Sequence, residues 1–179
     1  MDWSTANTWA SNLETGSGVN MVDDWRLPIM TVADPDSNLS HNGSTDRGSN
    51  VLGSSSEMAS LFFDTLGNKS VFSTSGTPQP PGVGGLKNAG SFENMQSAGY
   101  WLGTVYAPNP SSAWIFVNDS GLQLYTGKSD LYSAMAVRSG DVLASAVPES
   151  ETYAMMLAGL AMVGALSRRR SRAAKPVAL

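Results

Sequence analysis

The chain has 179 residues, 41% of them hydrophobic and 15% charged, with one histidine and no cysteine. That length accommodates one modest core and a terminal segment, and the missing cysteine excludes disulfides, thiolate metal sites and cysteine nucleophiles. Five of the 11 Lys+Arg (Arg168, Arg169, Arg170, Arg172 and Lys175) crowd the C-terminus, leaving residues 1–146 with 6 basic against 13 acidic groups, a net of −7 that repels nucleic acid and heavily sulfated glycans.

The first element is an amphipathic helix in which Ala6, Trp9, Ala10 and Leu13 recur at helical spacing, with Asp2 or Ser4 as its cap. Residues 1–5 have none of the parts of a secretory signal, which needs a basic start and an apolar run. The expectation is that Met1 is an internal methionine and that a signal peptide and a first strand lie upstream in the gene product. Residues 16–22 read as a turn-rich link into Trp25-Arg26-Leu27-Pro28, where the proline biases Leu27 to extended geometry.

Residues 34–56 form a polar stretch of Ser, Asn, Gly and Asp without hydrophobic periodicity, read as a long loop that is either a surface insertion or a binding loop. Within it Asp34, Asp36 and Asn38 imitate the first ligands of a calcium loop and are candidate ligand contacts. Leu39 holds the glycine position, however, and no glutamate closes the loop, so no metal is expected. His41 stands alone in this stretch and reads as a solvated loop residue, which leaves no support for a catalytic triad. Asp23-Asp24 could be read as a glycosidase pair, but a salt bridge or turn is the simpler reading.

A second helix is signalled by a capping box of Ser54 with Glu57, a face of Met58, Leu61, Phe62 and Thr65, and Gly67 just past its end. Residues 77–90, with three prolines and four glycines, form another loop. From Phe92 onward strands dominate: residues 100–104, 114–117, 122–125 and 133–138, with a hairpin turn at Asn118-Asp119-Ser120-Gly121. Trp25, Trp101 and Trp114 are candidate sugar platforms, but tryptophans in so small a domain are expected in the core, with Arg26 and Arg138 as internal partners holding loops. Residues 140–146 are a small-residue linker.

The C-terminal region sets an acidic motif (Val147, Pro148, Glu149, Ser150) before an apolar run, residues 153–166, and a basic cluster at Arg168, Arg169, Arg170 and Arg172. At ~1.5 Å per residue the run covers about 21 Å as a helix, a short span that snorkelling arginines extend, with the arginines on the cytoplasmic side. These residues resemble the PEP-CTERM sorting signal of exported bacterial proteins, with Ser150 where the second proline is usual. The resemblance implies an inner-membrane helix, processing by an exosortase near the motif, and delivery to the cell surface or extracellular matrix.

Trp9 with Leu13, Trp25-Arg26-Leu27-Pro28, Glu57-Met58-Ala59-Ser60-Leu61, Tyr100-Trp101-Leu102-Gly103-Thr104, Ala113-Trp114-Ile115-Phe116 and Ala136-Val137-Arg138 occur in an order that resembles the Lcl C-terminal-domain family. That resemblance implies a C-type-lectin-like α+β domain of surface proteins and adhesins, distantly similar to sulfatase-modifying enzymes. The expected organisation is this domain at 1–139 with two helices and several short antiparallel strands, the linker at 140–146, the sorting signal with its single hydrophobic helix at 147–172, and a cytoplasmic tail at 173–179. The expected function is non-enzymatic contact with exopolysaccharide, without a cofactor, and with a neutral or cationic polysaccharide favoured over the family's sulfated ligands by the net charge. A matrix component without specific ligand and an enzyme on the same fold are the other classes; ligand binding that depends on the 34–56 loop separates the first from a lectin, and the lack of thiols and of a dense ligand cluster argues against the second.

Overall fold

Asp2 starts the first element. Its backbone is extended (φ −67°, ψ 167°), its Oδ1 accepts the Thr5 N–H at 2.8 Å, and helix α1 runs Trp3–Ser11. Of the two expected caps Asp2 takes the role, and the Thr5 N–H holds its carboxyl below the usual range. Ala6 and Ala10 are fully buried, while Trp9 stays 38% exposed. This corrects the expected face: two alanines one turn apart form a narrow stripe on which the helix lies close to its neighbour, and the bulky indole is turned to its flank.

The computed structural model describes residues 1–16, 22–32 and 38–139. Asp34 and Asp36 of the calcium-like loop, and Val147, Pro148, Glu149, Ser150, the apolar run and the arginines of the C-terminal region, lie outside the described residues. The chain divides at Ser139, with Met1–Ser139 as one unit and Gly140–Leu179 as the other.

Within Met1–Ser139 the fold is α+β, with two helices and a five-stranded sheet in the order β1-β2-β5-β4-β3. Strands β3 (Gly99–Val105), β4 (Ser112–Val117) and β5 (Leu122–Gly127) form an antiparallel meander. Its β4–β5 hairpin turns where expected, with Gly121 at φ +67° and its N–H bonded to Val117 O at 2.8 Å. Strands β1 (Leu39–Ser40) and β2 (Arg47–Ser49) extend the sheet, β1 parallel to β2 and β2 antiparallel to β5. They arise from the stretch read as a plain loop. Two-residue and three-residue strands are too short to show a period, and Gly48 at φ +132° packs so close to Ser40 that a Cβ would collide with its carbonyl.

Both faces of the central strands are covered, which explains why they read as near-continuous apolar runs rather than alternating ones. The two-residue period sends Trp101, Ala113 and Ile115 to the side of α1 and Leu27, and Tyr100, Leu102, Trp114 and Phe116 to the other. That second face is closed by helix α2 (Glu57–Ala59), which continues as a π-helix, Ser60–Thr65, and buries Met58, Ala59 and Phe62. The expected capping box is corrected. Ser56, not Ser54, is the cap, its Oγ accepting the Ala59 N–H at 3.4 Å, and Glu57 turns away toward Arg26. Past the end, Gly67 at φ +66° lets the Asn68 N–H return to Phe62 O at 3.0 Å.

The pairing of β3 with β4 shifts register between Trp101 and Val105, so β3 carries extra residues there. The irregularity is a docking point. Gly103 N–H donates to Pro28 O at 2.8 Å, the Trp3 indole to Leu102 O at 2.8 Å, and Met30 N–H to the Thr104 hydroxyl at 3.1 Å. Residues 133–138 are not the expected strand. Residues 134 and 136 pack on the α1-side core and Met135 on the other, as in a strand, but the two bridges, Ser133 with Tyr100 and Val137 with Arg26, go to different segments and no ladder links them.

Candidate functional site

Helix α1, the Trp25 segment, the loop before β3 and residues 134–136 enclose a cleft of about 530 Å³, within the ~300–1,000 Å³ range of small-ligand sites. Its apolar walls are Trp9 from α1, Leu13 just past its end, Trp25, Phe92, Met95, Met135 and Tyr100; Thr15, Ser91, Glu93 and Asn94 supply polar groups. Trp9 is 38% and Phe92 42% exposed, so two aromatic rings stand at the surface beside the cleft.

Each wall is held by identifiable bonds. Trp25 lies between two anchored residues. Asp24 Oδ1 is 3.1 Å from Arg138 Nε, an ion pair without hydrogen-bond alignment. On the other side the Arg26 and Val137 backbones exchange bonds of 2.9 and 2.8 Å. The Arg26 guanidinium also reaches Glu57 through two bonds, of 2.7 and 2.8 Å, and the Leu27 carbonyl at 3.1 Å. Arg26 thus ties the Trp25 segment to α2 and Arg138 faces Asp24, with side chains 32% and 23% exposed rather than internal.

Tyr100 joins core and cleft. Its ring is buried with Phe116 and Trp114, while its hydroxyl accepts the Gln96 N–H at 2.8 Å and donates to Gln96 O at 3.3 Å. The Phe92 N–H bonds to Ala89 O at 3.1 Å, and the Ala98 N–H donates to the side chain of buried Asn118 at 2.7 Å. Thus the stretch from Phe92 to Ala98, expected to open the strand region, is a loop pinned at both ends and at its middle. On the opposite wall Thr15 and Val22 exchange backbone bonds of 2.9 and 2.8 Å, holding the chain just past α1.

Among the described residues that line the cleft, Glu93 is the one with a formal charge. It makes no ion pair among the described residues: Arg26 is engaged by Glu57 and Arg138 by Asp24, Lys128 Nζ sits 4.2 Å over the Trp3 ring, and Arg47 lies 5.0 Å over Tyr125. The Trp25 indole N–H is shielded and finds no acceptor among the described residues.

The three tryptophans of the sequence motifs therefore divide. Trp101 and Trp114 are fully buried, the first donating to Met1 O at 2.9 Å, and both belong to the core as expected. Trp25 does not; it is half-buried and forms a cleft wall. Leu27 and Pro28 are buried beside it. Asn38 is exposed ahead of β1 and is not part of the cleft. His41 is no free loop residue: its Nδ1 is 2.8 Å from Ser49 Oγ and its ring packs on Phe72 at 4.8 Å, so it ties the 41–50 turn to the 72–78 loop. Among the described residues no group of three acidic, histidine or cysteine side chains could hold a metal ion, and no helix is long and apolar enough to cross a membrane.

Phe92, Glu93 and Met95 escaped the sequence reading because no period marks a loop. The available signal was an aromatic and a methionine inside an otherwise polar run between Gly90 and Gly99. Two aromatic rings flanked by hydroxyl, amide and carboxylate groups can stack on the apolar face of a sugar ring and hydrogen-bond its edge. No family model, curated protein or solved structure matches the chain.

Proposed function

We propose that the protein is an exported surface or matrix component whose Met1–Ser139 unit is a C-type-lectin-like, non-enzymatic module that holds polysaccharide in this cleft. The aromatic wall carries the reading. Trp9, Trp25 and Phe92 expose rings that the two cores do not need, and groups able to hydrogen-bond a sugar edge stand among them. The net charge of −7 over residues 1–146 favours uncharged or cationic polysaccharides over sulfated ones. Delivery rests on the sequence from Val147 to Arg172, whose likeness to a PEP-CTERM signal makes an exosortase and the inner membrane the processing partners.

The binding half is tested by titrating the full-length protein with neutral, amino and sulfated oligosaccharides while following tryptophan fluorescence. A saturable change with the first two classes, lost in Trp25→Ala and Trp9→Ala, is the expected result. No response to any saccharide overturns the lectin reading. The delivery half is tested by the intact mass of protein recovered from native envelope and culture medium. A species ending near residues 147–150 is expected, and one retaining residues 151–179 removes the sorting argument.

A further inference from the structure

Resting on the saccharide-binding reading of the cleft, we infer that its preferred ligand is a glycan bearing free amino groups, a de-N-acetylated hexosamine polymer, with the sugar ammonium bound at Glu93. Three observations converge. First, among the described residues around the cleft the other polar side chains, Thr15, Ser91 and Asn94, are neutral, so Glu93 gives this lining its negative sign. Second, no ion pair to that carboxylate forms among the described residues, whose salt bridges join Arg26 to Glu57 and Arg138 to Asp24. Third, the neighbouring rings add to the same preference, since the faces of Trp and Phe attract cations. A cleft lined by Glu93 and by the exposed Trp9 and Phe92 suits a ligand that is apolar on its ring face and positive at one substituent. Neutral hexoses offer only the first property, and sulfated or uronic glycans meet repulsion from Glu93 and from the whole domain.

The cleft is also larger than one ammonium group requires. At about 530 Å³ it has room for a saccharide segment rather than a single methylated amine. The charged contact then supplies selectivity among sugars while the rings supply most of the buried area. Glu93 is exposed, so solvent screens the contact as it does a surface ion pair, and the free-amine sugar should bind roughly three- to fivefold more tightly than its N-acetylated counterpart.

The test is a titration of the full-length protein with two oligomers of equal length, one of glucosamine and one of N-acetylglucosamine, at a pH where the amine is protonated. We expect the glucosamine oligomer to bind roughly three- to fivefold more tightly, and the Glu93→Gln variant to bring its affinity down to that of the N-acetylated one. Asp119→Asn removes an exposed charge in the β4–β5 turn, at a residue that does not line the cleft, and should leave that preference in place. If wild type binds both oligomers equally, or if Asp119→Asn abolishes the preference as fully as Glu93→Gln does, the amino-sugar inference is wrong and the saccharide cleft stands. If neither oligomer binds and neutral hexose polymers do not bind either, the cleft reading itself fails. Retention of the native fluorescence spectrum by Glu93→Gln separates lost contact from lost fold.

Discussion

The guanidinium of Arg26 and the carboxylate of Glu57 meet through two parallel bonds of 2.7 and 2.8 Å, and Glu57 accepts a third from the Ile29 N–H at 2.8 Å. One carboxylate therefore ties the extended Trp25 segment to the first residue of α2. The side chains are 32% and 41% exposed, so solvent screens the pair, but the two-bond geometry puts it at the upper end for surface ion pairs. Glu57→Gln should cost about 1 kcal/mol, read as a lower urea midpoint at unchanged slope. It should also loosen Trp25, visible as a red-shifted tryptophan emission.

The same contacts set a pH dependence. The bonds from Arg26, then that from Ile29, hold the Glu57 carboxyl below its ordinary 4.5, and the Thr5 N–H lowers Asp2 from 3.8. Both folded values lie below the unfolded ones, so the stabilisation is fully present above the unfolded values and is lost as pH falls through the folded ones. The melting temperature should be level above about pH 5 and fall as pH drops toward about 3. Glu57→Gln should show a shallower fall, since one of the two linked groups is gone. An equal fall in wild type and variant would remove Glu57 from the account.

The Tyr100 hydroxyl bonds both to the N–H and to the carbonyl of Gln96, and thereby anchors the loop that carries Phe92 and Glu93. Tyr100→Phe keeps the ring that packs in the core and deletes only this anchor. The expected loss is about 1 kcal/mol, concentrated in the loop, so the Gln96 amide should exchange roughly five- to tenfold faster while amides of β4 keep their protection. Saccharide affinity should weaken in parallel.

How much of this was legible in the sequence follows from what each residue type signals. The β3 and β4 runs, the hairpin at Gly121 and the alanine pair of α1 announce themselves through apolar runs, turn residues and spacing. Strands β1 and β2 do not, because they are too short to show alternation and are held by neighbours far along the chain: Gly48 faces Gln123, and Gln123 Nε2 donates to Asp46 O at 2.7 Å. The Ser54–Glu57 box misled because the helix starts at Glu57 with Ser56 as its cap, so Glu57 stands too early to close a box and pairs instead with Arg26, 31 positions earlier. For the cleft, Trp25 was visible as a candidate platform yet its place outside the core was not. Burial of a tryptophan depends on what packs against each face, and that is tertiary information.

Trp101 and Trp25 provide the sharpest separation of fold from function. Trp101 is fully buried, packs edge-on against Tyr132 at 5.2 Å between ring centroids, and spends its indole N–H on Met1 O. Trp101→Ala opens a cavity in the α1-side core and should cost about 3–5 kcal/mol, a large part of the roughly 5–15 kcal/mol typical of a domain. Trp25 is half-buried, lines the cleft and leaves its N–H without an acceptor among the described residues. Trp25→Phe removes that shielded donor while keeping a ring, so stability should change by less than about 1 kcal/mol, with the loss of ring area and of the unpaired N–H acting in opposite directions. Trp25→Ala should cost about 1–2 kcal/mol and still leave a cooperative unfolding transition. Urea denaturation of the three variants, followed by saccharide titration of those that fold, gives two orderings. Stability should be highest in Trp25→Phe, lower in Trp25→Ala and lowest in Trp101→Ala, whereas binding should survive in Trp25→Phe and disappear in Trp25→Ala. If Trp25→Ala unfolded as readily as Trp101→Ala, Trp25 would be a core residue and the cleft would lose its principal wall.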